Sequence, residues 1–177
     1  MKRFWIILII AGIAYIAMSA FYYYSRPSTG DPAPNFSLQS LDEKTYELSD
    51  LKGSPVIVHF WATWCDWCVS EFETLVPMYE KFGKKGLVFL ALSEDGNGRE
   101  DIVRAFLKSK NVHFPVLMDI DGRVADLYQS NGLPETIFIS KDGIIINRVS
   151  GALDWTSPEA YKALDMILTE GGNNEGN

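Results

Sequence analysis

Two cysteines lie three positions apart where a strand pattern changes into a helix pattern. Residues 55–62 (PVIVHFWA) are almost wholly apolar and rich in β-branched side chains, which predicts a central strand buried on both faces. Beyond the first cysteine, apolar residues recur at helical spacing; they are Val69, Phe72, Leu75, Val76, Tyr79 and Phe82. Cys65 and Cys68 are therefore predicted at the start of a helix that follows a buried strand.

A Cys-x-x-Cys pair in this position suits dithiol chemistry. Free backbone N–H groups and the helix dipole stabilise a thiolate on the first cysteine of the pair. We predict that Cys65 is the nucleophile and that Cys68, one turn into the helix and more buried, resolves the mixed disulfide. Two alternatives remain: a pair of packed, inert cysteines, and half of a zinc site. For zinc, the other candidates are His59 and His113, and neither has finger spacing.

The N-terminal segment carries no charged residue from Phe4 to Ser25. As a helix, the apolar run over residues 4–24 would be about 32 Å long, enough to cross the core of a bilayer. Lys2 and Arg3 precede it, which favours a cytoplasmic N-terminus and a domain outside the cytoplasm. We predict an uncleaved, single-pass membrane anchor over residues 1–25. The alternative is a cleaved signal peptide, for which residues 17–19 (AMS) form an acceptable site.

The rest of the chain divides into a tether, one domain and a tail. Residues 26–35 (RPSTGDPAPN) place three prolines among small polar residues, which is typical of an extended, semi-rigid tether. Residues 36–170 have the usual length of one domain, and residues 171–177 (GGNNEGN) are predicted to be a disordered tail. The net charge of −7 argues against a nucleic-acid binder, which needs a basic surface to neutralise phosphates.

Strand and helix patterns alternate along the domain. The predicted order is an N-terminal β-hairpin, the buried strand, a helix, a strand, a helix, a strand–helix insertion, two strands and a last helix. Lys141-Asp142-Gly143 indicates a hairpin between the last two strands, and Ser157-Pro158 supplies an N-cap and a first-turn proline for the last helix. This order predicts an α/β fold in which helices cover both faces of a mixed β-sheet.

Several segments resemble the TlpA/ResA-like, membrane-anchored branch of the thioredoxin superfamily. Residues 58–68 (VHFWATWCDWC) are similar to its active-site segment, and residues 33–38 (APNFSL) with 48–53 (LSDLKG) are similar to its entry. Residues 112–116 (VHFPV) resemble its central insertion, and residues 132–136 (GLPET) resemble the cis-proline loop of the cytochrome c maturation reductases. The resemblance implies a thioredoxin-like fold and a redox-active cysteine pair that needs no cofactor or metal.

The resemblance also implies roles for single residues. Glu71 matches a glutamate characteristic of this branch and joins Cys65 and Cys68 as the third expected catalytic residue. Its apolar neighbours Phe72 and Trp67 predict a raised pKa for Glu71; the alternative is a solvated glutamate on the helix surface. Pro134 is expected to be cis, which exposes the preceding backbone to pair with a client, although a trans loop proline is the alternative. The residues expected to bind or support the client are Trp64, Asp66, Trp67, Leu133, Pro134 and His59.

Some positions depart from the family pattern. Trp67 and Glu73 stand where prolines are common. Asp66 disfavours a thiolate on Cys65, which predicts a more reducing couple than a neutral residue would. Trp67 is either an apolar docking face for a client peptide or a lid over the disulfide. His59 is either a relay for the resolving proton or a hydrogen-bonded histidine of the core.

The resemblance implies reduction of client disulfides outside the cytoplasm, often in apocytochrome c before haem attachment. The expected partners are such clients, a membrane thiol reductase as electron donor, and the lipid bilayer. The alternatives are a disulfide oxidase or isomerase of another thiol pathway, and a thioredoxin-fold metal-binding or scaffold module. A peroxidase is disfavoured, because peroxidases of this superfamily use a lone cysteine outside a Trp-Cys-x-x-Cys arrangement.

Overall fold

The computed structural model describes residues 2–24 and 26–170. The helices are α1 (Lys2–Tyr24), α2 (Asp66–Phe82), α3 (Glu100–Ser109), α4 (Arg123–Tyr128) and α5 (Pro158–Glu170). The strands are β1 (Ser37–Gln39), β2 (Thr45–Glu47), β3 (Val56–Trp61), β4 (Val88–Ser93), β5 (Val116–Met118), β6 (Glu135–Ile139) and β7 (Ile145–Ser150). Short 3-10 helices cover Leu48–Leu51 and Gly83–Lys85.

The structure does not show the membrane anchor predicted at the N-terminus or the disordered tail predicted at the C-terminus. The predicted anchor falls on α1, but no helix within residues 2–24 and 26–170 is both long enough and apolar enough to cross a membrane. The predicted tail, residues 171–177, lies outside the described residues.

Five strands form the main sheet in the order β5-β4-β3-β6-β7. Strands β3, β4 and β5 run parallel, whereas β6 is antiparallel to β3 and β7 is antiparallel to β6. Strands β1 and β2 pair separately as an antiparallel hairpin. The predicted mixed sheet, N-terminal hairpin and strand–helix insertion, formed by β5 and α4, are therefore confirmed.

Strand β3 is buried along its whole length, as its apolar sequence predicts. Successive side chains of a strand point to opposite faces. Val58 and Phe60 pack in a cluster with the N-terminal hairpin and α4. Ile57 and Trp61 pack in a second cluster with α2, α3 and α5. His59 alternates with Val58 and Phe60, so its side chain lies on the α2 side of the sheet.

Residues 26–35, which are predicted to be an extended, semi-rigid tether, make hydrogen bonds and an ion pair with the domain. Gly30 N donates to Ile145 O at 2.8 Å, and Ile145 N donates to Asp31 O at 2.9 Å. An Arg26 guanidinium nitrogen lies 2.6 Å from Glu135 Oε1. The proline content indicated an extended backbone, but it carried no information about β7, whose edge offers backbone groups for pairing.

Candidate active site

Cys65 is the N-cap of α2, and Cys68 lies in the first turn of the same helix. The two residues form a disulfide with Cα atoms 5.3 Å apart, and Cys68 N donates to Cys65 Sγ at 3.2 Å. Cys65 is 8% exposed and Cys68 is fully buried, which confirms the predicted difference in burial. After reduction, the helix N-terminus stabilises a thiolate on Cys65, the less buried of the two cysteines.

A buried carboxylate fixes the loop that leads into Cys65. Asp95 follows β4 and accepts hydrogen bonds from Thr63 N at 2.9 Å and from Thr63 Oγ1 at 2.6 Å. Ser93 Oγ and Arg99 Nε donate to the same carboxylate, at 2.9 and 3.3 Å. Sequence reasoning missed Asp95. The sequence did contain a signal for it, an acidic residue just after a buried strand. Neighbouring parallel strands end at the same edge of a sheet, so a residue after one strand can reach the loop after the other.

Two indole rings flank the disulfide at the surface. Trp64 is 61% exposed and Trp67 is 72% exposed, and Asp66 between the cysteines is exposed as well. Trp67 therefore does not supply the apolar surroundings that were expected around Glu71. The exposed rings leave apolar surface beside Cys65, the less buried of the two cysteines.

The loop predicted to meet the client lies at the same end of the sheet as the cysteines. The Leu133–Pro134 peptide bond is cis, as expected. The next residue, Glu135, pairs with Phe60 near the end of β3 that leads to the cysteine pair. Leu133 is partly buried against both core clusters. On the other side of the loop, Gly151, the residue after β7, donates its backbone N–H to Pro134 O at 2.8 Å.

A buried ion cluster fastens this loop from behind, and sequence reasoning missed it. Glu135 is fully buried, and its carboxylate accepts from Arg148 Nε at 2.9 Å and from Arg26 at 2.6 Å. Burial opposes ionisation, but the hydrogen bonds and charge of Arg148, with the charge of Arg26, hold the pKa of Glu135 below its usual value. Arg148 also donates to Pro27 O at 2.7 Å, so the cluster joins the N-terminal segment to the cis-proline loop.

Glu71 is buried on α2, three residues after Cys68, with only 3% of its surface exposed. Its Oε1 atom accepts from Leu153 N at 3.0 Å and from Trp155 Nε1 at 2.5 Å. Burial raises the pKa of Glu71 to about 7, although these two hydrogen bonds act in the opposite direction. The predicted raised pKa is confirmed and the solvated alternative is wrong. Its hydrogen-bond partners Leu153 and Trp155 lie in the segment before α5, and His59 of β3 is 3.7 Å from its Oε2 atom.

His59 is fully buried on β3 and belongs to the same cluster of contacts. Its Nδ1 atom lies 3.0 Å from Thr136 Oγ1 on β6, and its Nε2 atom lies 3.7 Å from Glu71 Oε2. The imidazole ring also contacts the Phe89 and Trp155 rings, with centroids 5.8 and 6.2 Å away. Burial lowers the pKa of His59 to about 3, so its imidazole is neutral at ordinary pH.

The remaining histidine and the acidic loops do not join this site. His113 is exposed, between α3 and β5. Asp119, in a loop that faintly resembles a calcium loop, accepts from Val124 N and Ala125 N and so caps α4. Among residues 2–24 and 26–170, no group of three or more histidine, cysteine, aspartate or glutamate side chains is placed to hold a metal ion.

Comparison with known proteins agrees with this geometry. Residues 29–148 match the AhpC/TSA family. Thiol-disulfide oxidoreductase ResA of Oceanobacillus iheyensis is 40% identical over 75% of this chain and 70% of that protein, and ResA of Bacillus subtilis is 35% identical over 84% and 82%. A thioredoxin-family thiol:disulfide interchange protein from Chlorobium tepidum superposes with a TM-score of 0.66 at 27% identity, covering 81% of this chain and 98% of that one. The chain therefore belongs to the AhpC/TSA family and is a thioredoxin-fold, ResA-type thiol-disulfide oxidoreductase that acts through its Cys65–Cys68 pair.

Proposed function

We propose that this oxidoreductase works in the reducing direction, on disulfides of client proteins outside the cytoplasm such as that of an apocytochrome c. The observation that carries the direction is the burial of Glu71 one helical turn beyond Cys68. A carboxylate in a dry site near the thiols disfavours their thiolates. A less stabilised thiolate means a less stabilised dithiol, and the couple is then more reducing.

The exchange moves two electrons from the dithiol to the client. The Cys65 thiolate attacks one sulfur of the client disulfide, forms a mixed disulfide and releases the first client thiolate. Cys68 then loses its proton, and its thiolate attacks Cys65 Sγ. The mixed disulfide breaks, the second client thiolate leaves, and the Cys65–Cys68 disulfide forms. Both client thiolates take up protons, and a membrane thiol reductase then returns the two electrons to the pair.

The client docks between the exposed indoles and the cis-proline loop. Trp64 and Trp67 offer flat apolar surface beside Cys65. The backbone of Leu133, which precedes Pro134, lies at the same end of the sheet and pairs with the client as an added strand.

The location follows from the N-terminal sequence. The uncharged run over residues 4–25 anchors the chain in a membrane, and Lys2 and Arg3 keep the N-terminus in the cytoplasm. Two reporters fused after Asn177 test this topology: one active only in the cytoplasm and one active only outside it. We expect activity of the second reporter alone. Activity of the cytoplasmic reporter alone would remove the extracytoplasmic location.

The reduction potential tests the direction. We equilibrate the protein with glutathione buffers of graded ratio and follow the Cys65–Cys68 disulfide by thiol alkylation. The expected potential is near that of thioredoxin, about −270 mV, and far from the strongly oxidising value of about −120 mV. Glu71→Gln, which has no carboxylate, is expected to be more oxidising than the wild type. A strongly oxidising wild type would replace the reductase by a disulfide oxidase.

Client chemistry is tested with a peptide that carries an oxidised Cys-x-x-Cys-His motif, the haem-attachment sequence of c-type cytochromes. The reduced protein is expected to reduce it faster than a scrambled-sequence peptide with the same disulfide loop. Equal rates would show that the apocytochrome motif is not selected.

A further inference from the structure

Two buried polar atoms face each other in the interior behind the disulfide. His59 Nε2 and Glu71 Oε2 are 3.7 Å apart, and neither has a hydrogen-bond partner within the described residues. The other polar atom of each side chain is already used. Glu71 Oε1 accepts from Leu153 N and Trp155 Nε1, and His59 Nδ1 is paired with Thr136 Oγ1. Among the described atoms, the hydrogen-bond partner available to His59 Nε2 is therefore Glu71 Oε2, and the reverse holds for Oε2.

A small approach turns this contact into a hydrogen bond, provided that a single proton lies between the two atoms. Without a proton, two lone pairs face each other. With two protons, an N–H faces an O–H. The geometry thus links the protonation of Glu71 to the position of the proton on the His59 ring.

Neutral histidine is suited to this link, because its Nε2 atom is a donor in one tautomer and an acceptor in the other. When Glu71 is ionised, Nε2–H donates to Oε2, and Nδ1 accepts from the Thr136 hydroxyl. When Glu71 is protonated, Oε2–H donates to Nε2, and Nδ1–H donates to Thr136 Oγ1. A hydroxyl serves both states, since it donates and accepts.

We propose that His59 is a tautomeric partner of Glu71: the ring proton of His59 moves between Nε2 and Nδ1 whenever Glu71 gains or loses a proton. The proton balance is simple. One proton lies between Nε2 and Oε2 in both states, bonded to nitrogen in one and to oxygen in the other. The proton that the pair gains from solvent appears at Nδ1, and nothing is oxidised or reduced. His59 is a positioning residue: it keeps Oε2 hydrogen-bonded in both states of Glu71.

No residue packed against His59 and Glu71 in the described part of the chain competes with them for a proton near pH 7. The neighbours from β4, β6 and the segment before α5 are Phe89, Thr136, Leu153 and Trp155, and none of them titrates in this range. On α2 and its N-cap, the titratable groups nearest to Glu71 in sequence are Glu73 and Asp66, which are exposed, and the two cysteines, which carry no proton as a disulfide. The pKa values of about 7 for Glu71 and about 3 for His59 are set by burial and, for Glu71, by its two hydrogen bonds. The histidine therefore stays neutral while the carboxyl titrates.

A role of this pair in client reduction rests on the proposed function, but the test of the tautomer change does not. The chain has two histidines, so ¹⁵N-labelled histidine in the full-length, oxidised protein in detergent yields two ring systems. His113→Gln leaves the signals of His59 alone. Nitrogen shifts distinguish a protonated from an unprotonated ring atom. We expect Nε2 to carry the proton at high pH and Nδ1 to carry it at low pH, with the same midpoint as the ¹³C signal of the Glu71 carboxyl.

A single His59 tautomer across this range would overturn the proposal, and so would a ring protonated at both nitrogens. Glu71→Gln supplies the matched control. Its amide can donate to Nε2 at every pH, so His59 is expected to stay in the Nδ1–H tautomer without a transition. A transition that persisted in this variant would also overturn the proposal.

A second variant measures the effect on the carboxyl itself. In His59→Phe the ionised carboxylate loses its donor, so the midpoint of the Glu71 carboxyl signal is expected to rise by at least one pH unit, a tenfold change in its acidity. An unchanged midpoint in a folded variant would show that His59 does not support Glu71. If the tautomer switch is found but clients are not reduced, the inference stands and the proposed function fails.

Discussion

A single carboxyl group, that of Glu71, combines the two opposing influences that determine its acidity. Burial against β3 and the segment before α5 disfavours its charge, whereas hydrogen bonds from Leu153 and Trp155 favour it. Burial prevails and the pKa is about 7, so the group exchanges protons in the range where thiol exchange takes place. General acid–base catalysis is most effective when the pKa lies near the working pH.

This pKa makes the stability of the oxidised protein depend on pH. In the unfolded chain Glu71 titrates near 4.5, and in the fold near 7. Between these values Glu71 binds more protons in the folded state, so its contribution to the free energy of unfolding falls as pH rises from 4.5 to 7 and is then constant. Burial of His59, which lowers its pKa to about 3, acts in the opposite direction between pH 3 and 6.5. The loss has an upper bound of roughly 3 kcal/mol.

Glu71→Gln is expected to remove this loss. The difference in free energy of unfolding between the variant and the wild type is therefore expected to be more favourable to the variant at pH 8 than at pH 4.5. Urea denaturation of the oxidised proteins measures it. Glu80→Gln, an exposed position on the same helix, is the matched control and is expected to leave the pH dependence intact. Parallel stability curves for wild type and Glu71→Gln would show that the carboxyl is not perturbed by folding.

The two cysteines have separable roles. In Cys68→Ser no second thiol is left to resolve the mixed disulfide, so the remaining nucleophile is expected to hold clients covalently. Cys65→Ser is expected to hold none, because Cys68 is fully buried. Non-reducing gels with the client peptide compare the two variants. Capture by Cys65→Ser and not by Cys68→Ser would reverse the assignment.

At the scale of elements, the ends of neighbouring strands hold the active-site loop. Strands β3 and β4 are parallel, so the residues after each strand meet at one edge. Asp95, after β4, binds both the backbone and the hydroxyl of Thr63, after β3. The cysteine loop is therefore held in place by a neighbouring strand as well as by its own helix.

Asp95→Ala leaves the Thr63 amide and the Ser93 hydroxyl without their buried acceptor. We expect it to lower the free energy of unfolding by about 3 kcal/mol, since hydrogen bonds to charged groups are the stronger ones. Client reduction is expected to slow as the loop loosens. Urea denaturation and single-turnover reduction measure the two effects, with Asp101→Ala on the exposed face of α3 as control. Equal losses in both variants would deny Asp95 this role.

At the scale of the whole molecule, the N-terminal segment is part of the domain and not a free spacer. Arg26 and the carbonyl of Pro27 join the cluster of Glu135 and Arg148 behind the cis-proline loop. The segment that follows the predicted anchor therefore begins beside the loop that we propose for client binding, and it then runs to Ile145 at the start of β7.

Two truncated chains test this attachment. A chain that starts at Arg26 is expected to unfold at the same urea concentration as the full-length protein. A chain that starts at Phe36 loses the Arg26–Glu135 pair and the backbone bonds to Ile145, and is expected to be less stable by about 2–4 kcal/mol. Arg26→Met in the longer chain separates the ion pair from the backbone bonds. Equal stability of the two truncated chains would show that the contacts of residues 26–35 with the domain do not stabilise it.

The order of elements and the cysteine site were readable from the sequence because local patterns determine them. The apolar run of β3, the helical spacing of α2 and the hairpin signal between β6 and β7 all lie within short windows. The position of Cys65 and Cys68 at the helix start follows from the same local patterns. Their identity as a redox pair follows from the chemistry of cysteine.

The surroundings of these residues depend on contacts between distant parts of the chain, and only the tertiary structure supplies them. The partners of Glu71 come from residues 153 and 155, the partner of Thr63 follows β4, and Glu135 binds Arg26 from the far end of the chain. No short window of sequence contains both members of such a pair. The sequence alone thus determined that the chain has a dithiol at a helix start. The fold decided that a buried carboxyl and a neutral histidine lie behind it, because burial and distant hydrogen bonds, which control the pKa values, exist only once the chain has folded.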